Sequence, residues 1–152
     1  MSIFEKVNAD IKKAMLAKDK EKLEALRGIK AEFLLVKTEK GAIEEISEET
    51  ELKVLQKMVK QRRESADIYK SQNRTDLYEV EMKQVKVIEE YLPAQLSEEE
   101  LTRILKGIIE QTGAKQPSDM GKVMGIATKQ LAGKAESKEI ANKVKELLGS
   151  AN

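Results

Sequence analysis

The chain has 152 residues with no cysteine, no histidine and no tryptophan, and only two prolines. Without cysteine there is no disulfide framework, no thiolate nucleophile and no thiolate metal ligand. Without histidine there is no imidazole base, no Ser-His triad and no His-ligated zinc or haem. Any chemistry would rest on carboxylates, lysines, tyrosines and hydroxyls, so no metal and no cofactor are expected. Aromatics make up only 3%, too few for the base-stacking platforms of RNA-recognition motifs or OB-folds. No apolar run approaches membrane-spanning length, and Met1-Ser2-Ile3-Phe4-Glu5 is not a basic segment followed by an apolar one. No membrane partner and a cytoplasmic location are therefore the expectation.

Charge is what the chain has in quantity: 36% of residues are charged, yet the net charge is +1. Such balance weighs against a dedicated nucleic-acid binder and leaves room for a local basic patch. Glu, Lys, Leu, Ala and Ile dominate with apolar residues at helical spacing, and no stretch alternates like a strand. The fold class is all-α.

The first helix opens with a capping box, Ser2-Ile3-Phe4-Glu5, and carries an apolar stripe of Ile3, Val7, Ile11, Ala14 and Met15. A turn near Asp19 leads to a second helix with Leu23, Leu26, Ile29, Phe33 and Val36, stopped by Gly41. An acidic loop holds Ile43 and Ile46, and Ser47 caps a third helix bearing Leu52, Leu55, Val59, Ala66 and Tyr69. After a turn capped by Thr75 or Asp76, the fourth helix shows a near-heptad seam of Leu77, Val80, Gln84, Val87, Ile88 and Tyr91. Helices three and four read as an antiparallel hairpin, ended by Leu92-Pro93. A hinge over residues 93–96 separates this N-terminal helical unit, residues 1–93, from a compact three-helix unit, residues 94–152. There a second capping box, Ser97-Glu98-Glu99-Glu100, precedes Leu101, Ile104, Leu105, Ile108 and Ile109, with Gly113 as the stop. The next helix starts at Ser118 or Asp119, carries Met120, Val123, Met124, Ala127 and Leu131, and closes at Gly133. Ser137 caps the last one, with Ile140, Val144, Leu147 and Leu148.

No catalytic residue stands out. Glu44, Glu45, Glu48, Glu49 and Glu51, like Glu98, Glu99 and Glu100, crowd helix starts, where solvated acids favour the helix dipole. A carboxylate-bridged metal pair would need Glu-x-x-His motifs, and no nucleotide-binding glycine loop is present. Two glycines four apart, Gly121 and Gly125, cost a helix roughly 1 kcal/mol each, which suggests tight helix packing or close approach of a partner. Residues 111–145 hold seven lysines against three acids. Lys122 and Lys129, seven apart, share a helix face, and Lys134 and Lys138 flank the following turn, a patch suited to phosphate contacts without sequence reading. A second basic stripe, Lys53, Lys57, Lys60 and Arg63, is diluted by Glu64 and Asp67.

The string Asp119-Met120-Gly121-Lys122-Val123-Met124-Gly125, with Lys129, Gly133-Lys134-Ala135 and Ile140-Ala141-Asn142-Lys143-Val144-Lys145-Glu146-Leu147-Leu148, resembles the tail of GatB. GatB is the B subunit of the glutamine-dependent aspartyl/glutamyl-tRNA amidotransferase. The whole chain resembles the stand-alone YqeY proteins, supported by Leu26-Arg27-Gly28-Ile29-Lys30, Gln61-Arg62-Arg63-Glu64-Ser65 and Ile88-Glu89-Glu90-Tyr91-Leu92-Pro93. Lys134-Ala135-Glu136-Ser137 departs from the Asp-Gly usual there. The resemblance implies a helical unit followed by a tail of the kind taken to contact tRNA, with Lys122, Lys129, Lys134 and Lys138 as phosphate contacts. It also implies a family-level label, carbon–nitrogen ligase with glutamine as amido-N-donor, whose reacting domains have no counterpart in this chain. The leading expectation is a non-catalytic tRNA-related binding module. The first rival is an adaptor docking on amidotransferase or synthetase proteins through an exposed apolar patch around Phe33, Leu34 and Leu35. The second, a free-standing amide-transfer or hydrolytic enzyme, needs a pocket of convergent carboxylate, lysine and hydroxyl groups that nothing in the sequence marks.

Overall fold

The structure, a computed structural model, describes residues 1–39, 41 and 45–149; the predicted positions of Ile43 and Glu44 lie outside them. The described residues form seven α-helices and one 3-10 turn, with no strand, so the fold is all-α. The chain divides into two compact units, Met1–Pro93 and Ala94–Asn152.

In the first unit, α1 (Ile3–Ala17) and α2 (Lys20–Glu39) form one hairpin, and α3 (Glu48–Ser71) and α4 (Thr75–Glu89) another. The Ser2–Glu5 capping box is formed, and Lys18 ends α1 in the left-handed conformation at φ 57°. Asp19 starts α2, its carboxylate accepting the Lys22 N–H at 3.2 Å. Val7, Ala14, Leu26, Ile29, Phe33, Leu55, Met58 and Ile88 make the core. Burial of such side chains contributes roughly 1.5–3 kcal/mol for each large one. Met15, predicted in the buried stripe, is 53% exposed. At about 100° per residue Ala14 lies within about 20° of the buried Val7 and Met15 about 80° away, so Met15 falls off the edge of the buried stripe. Neither Thr75 nor Asp76 caps α4: Thr75 is its first residue, and Arg74 precedes it without a side-chain cap. Tyr91, beyond α4, donates its hydroxyl proton to the Asp10 carboxylate. Burial, with that carboxylate second, pushes the phenol pKa well up.

In the second unit, α5 (Glu98–Thr112) carries the second capping box and ends at Gly113 with φ 74°. A 3-10 turn (Pro117–Asp119) leads into α6 (Met120–Gln130), and α7 (Ser137–Gly149) closes the unit. Leu101, Leu105, Ile108, Val123, Ala127, Leu131, Ile140, Val144 and Leu148 form its core, with Met120 and Met124 packed at its edge. The turn after α6 is held by residues just before α5. The Gln95 side-chain amide donates to the Gly133 carbonyl at 2.7 Å, and the Leu96 N–H to the Lys134 carbonyl at 3.1 Å. Ser137 is the first residue of α7, whose first helical bond runs from the Ile140 N–H to the Glu136 carbonyl.

Candidate nucleic-acid interface

On α6 the core takes Val123 and Ala127 fully and Met120 and Met124 in part. At 3.6 residues per turn, Gly121, Gly125, Lys129 and Lys122 follow one another within an arc of about 100° on the other side. All four are exposed. A methyl group built on Gly121 or Gly125 would meet nothing within 4 Å. Tight helix packing therefore does not account for this glycine pair. The core is filled by the opposite face, and the two glycines leave a bare strip of backbone beside two lysines.

Lys134, in the turn after α6, and Lys138, in the first turn of α7, are also exposed. Among the described residues no ion pair occupies the ammonium groups of Lys129, Lys134 or Lys138. Lys122 lies close enough to Asp119 to favour its ionised form, although the main cause of that lowered carboxyl pKa is the N–H of Lys115. Asp119 accepts the N–H groups of Lys115 and Gln116 at 3.1 and 3.4 Å and so shapes the entry to α6. Lys143 contrasts with these cations. It bridges Glu98 at 3.0 Å and Glu146 at 3.4 Å, which raise its pKa and tie α7 to α5.

The N-terminal acids do not all behave as a solvated cluster. Glu51 is 1% exposed, and its carboxylate accepts the Phe4 N–H at 2.8 Å. Burial pushes its pKa up, opposed by hydrogen bonds from the Phe4 and Ile3 N–H groups. Position on the rear of the first turn of α3, facing α1, separates it from its exposed neighbour Glu48, which helical spacing alone does not reveal. The second basic stripe is exposed but partly consumed: Lys53 pairs with Glu49 at 3.5 Å and Arg63 with Glu89 at 2.6 Å. A polar cluster that sequence reasoning missed joins the motif segments around Gly28 and Arg62. Arg62 pairs with Glu81 at 3.1 Å, and its guanidinium is the one neighbour, at 3.9 Å, of a methyl group built on Gly28. The mid-helix glycine was the available signal. Phe33 is buried, while Leu34 and Leu35 are 43% and 58% exposed. Among the described residues no group of three or more acidic side chains could hold a metal ion.

The sequence model of the family described as Yqey-like protein matches residues 4–148. The chain belongs to this family. Two relatives bear the name "Altered inheritance of mitochondria protein 41, mitochondrial". The one from Pyrenophora tritici-repentis is 28% identical over 152 residues, covering 97% of this chain and 82% of its own length. The one from Clavispora lusitaniae is 37% identical over 114 residues, covering 70% of this chain and 65% of its own. Their names overturn the cytoplasmic expectation. The basic-then-apolar pattern on which that expectation rested concerns secretion alone and does not bear on organelles such as the mitochondrion. No helix among the described residues is long and apolar enough to cross a membrane.

Proposed function

We propose that this YqeY-family chain is a non-catalytic RNA-binding module that holds tRNA-like backbone on the α6–α7 segment. The observation that carries the reading is the exposed α6 face. Gly121 and Gly125 expose the helix backbone directly beside Lys122 and Lys129, and Lys134 and Lys138 follow along the next turn. Lysines bind phosphate as mobile point charges, which gives affinity and little sequence preference. The glycines let a sugar–phosphate backbone come nearer than any side chain would permit. The similarity of this segment to the tail of the amidotransferase B subunit supports tRNA as the first RNA to try. The test is binding of bulk tRNA to the full chain across a salt series. Saturable binding that weakens with salt and disappears when Lys122, Lys129, Lys134 and Lys138 become glutamate supports the reading. Unchanged affinity in that variant would sink it.

A second reading, an adaptor for translation or amidotransferase proteins, is favoured by the exposed neighbours Leu34 and Leu35 on α2. It expects Leu34→Ser with Leu35→Ser to abolish capture of a protein partner while tRNA binding is untouched. Retained capture would reject that surface.

A further inference from the structure

A groove of about 500 Å³ lies in the N-terminal unit, between the first turns of α2 and one face of α4. Along α4 that face comprises Val80, Lys83, Gln84 and Val87, spaced as successive turns of one side of a helix. Val80, Gln84 and Val87 belong to the heptad-like seam; Ile88 of that seam and the nearby Val85 are completely buried. Val80 is left 50% exposed. The α4 seam is therefore wider than the core of this unit uses. From Val80 to Glu90 the face runs about 15 Å at 1.5 Å per residue, the length of nearly three helical turns.

The rim has a sign. Asp19, Glu21, Glu24 and Glu90 face the groove with only Lys22 and Lys83 against them. Those lysines form the bridges Lys22–Glu90 at 3.7 Å and Lys83–Glu21 at 3.4 Å, both well exposed to solvent. Such pairs stabilise little, so a competing cation displaces them at small cost. Asp19 and Glu24 have no ion pair among the described residues. A groove with two valines, Val80 and Val87, about two helical turns apart on its floor and surplus negative charge on its edges complements a cationic amphipathic helix. It repels an RNA phosphate backbone.

We propose that this groove docks a lysine- or arginine-rich amphipathic helix of a partner protein, its apolar side on Val80 and Val87 and its cations on Glu21, Glu24 and Glu90. The inference stands on the N-terminal unit alone and is independent of the RNA-binding reading. The probe is a labelled helical peptide of about fourteen residues, with leucines at i, i+3, i+4 and i+7 spacing and lysines on both flanks. A control peptide carries glutamates in place of those lysines. Fluorescence anisotropy with the full chain should show saturable, salt-sensitive binding of the lysine peptide and none of the glutamate peptide. Backbone amide shifts should change along α2 and α4. Val80→Lys together with Glu24→Lys, both at exposed positions, should weaken binding by about tenfold or more with an unchanged melting curve. Glutamate variants of Lys122 and Lys129 should leave it unchanged. Failure of the lysine peptide to bind, equal binding of the two peptides, or full affinity in the Val80/Glu24 variant would overturn the proposal.

Discussion

The Glu51 carboxylate, in the first turn of α3, accepts the backbone N–H of Phe4 in the first turn of α1 at 2.8 Å, across 47 positions of sequence. One buried acid thus supplements the Ser2–Glu5 capping box and fastens the start of α1 to α3. Glu51→Ala leaves the Ile3 and Phe4 N–H groups short of an acceptor and should lower stability by about 1–3 kcal/mol in urea unfolding.

The pH response of this pair has a definite sign. Burial raises the native pKa of Glu51 above its unfolded value of 4.5, so the native state holds the proton more tightly. The contribution of Glu51 to stability is therefore greatest below the unfolded value and falls as pH rises through the native value. Glu51→Gln keeps an oxygen acceptor and cannot ionise. Its stability relative to the parent chain should be higher at pH 7 than at pH 4. A stability difference that stays constant between those pH values would contradict the assignment.

Gly121→Ala and Gly125→Ala place a methyl group in open space on an exposed helix face. Each should raise helix stability by roughly 0.5–1 kcal/mol, visible as a higher melting temperature. Gly107, also exposed within α5 with nothing nearby, serves as the control. Its alanine variant should stabilise equally and leave tRNA affinity alone, whereas alanine at Gly121 and Gly125 should weaken that affinity. If all three behave alike, the bare α6 backbone has no part in binding.

Single Lys→Ala changes at positions 122, 129, 134 and 138 should each reduce the slope of log affinity against log salt by about one. Lys143→Ala should instead act on stability, because its ammonium is already committed to Glu98 and Glu146. Slopes that do not change at the four positions would remove them from the interface.

Gly28 and Arg62 supply a further check. A methyl at Gly28 sits at ordinary contact distance, 3.9 Å, from the Arg62 guanidinium, so Gly28→Ala should be neutral or stabilising. Gly28→Leu drives a longer side chain into that guanidinium and should cost about 1–3 kcal/mol. Its effect should be non-additive with Glu81→Ala, since both disturb the Arg62–Glu81 pair.

Helix content and most of the core were legible because helical spacing reports directly which side of a helix is apolar. Leu26, Ile29, Phe33, Leu55, Ile88, Leu105, Val123 and Val144 were predicted on buried stripes and are buried. The exceptions have local causes. Met15 sits about 80° round the helix from the buried Val7, at the edge of the stripe, and Val80 belongs to a seam only half covered. Glu51 needed knowledge of what stands opposite it, and a composition rule that places acids in solvent misreads it. The exposure of Gly121 and Gly125 was equally hidden, since two glycines four apart look the same whether they face a helix or water. Among the candidate residues, the lysines were legible as exposed cations by type; what they touch is beyond any periodicity.

The bonds from Gln95 and Leu96 to the carbonyls of Gly133 and Lys134 bear on how the chain can be cut. The two residues ahead of Ser97 belong, by these contacts, to the loop that carries Lys134. A recombinant fragment begun at Ser97 would keep every helix of its unit and lose the strap across that loop. One begun at Ala94 retains the strap, and with it the native setting of that lysine.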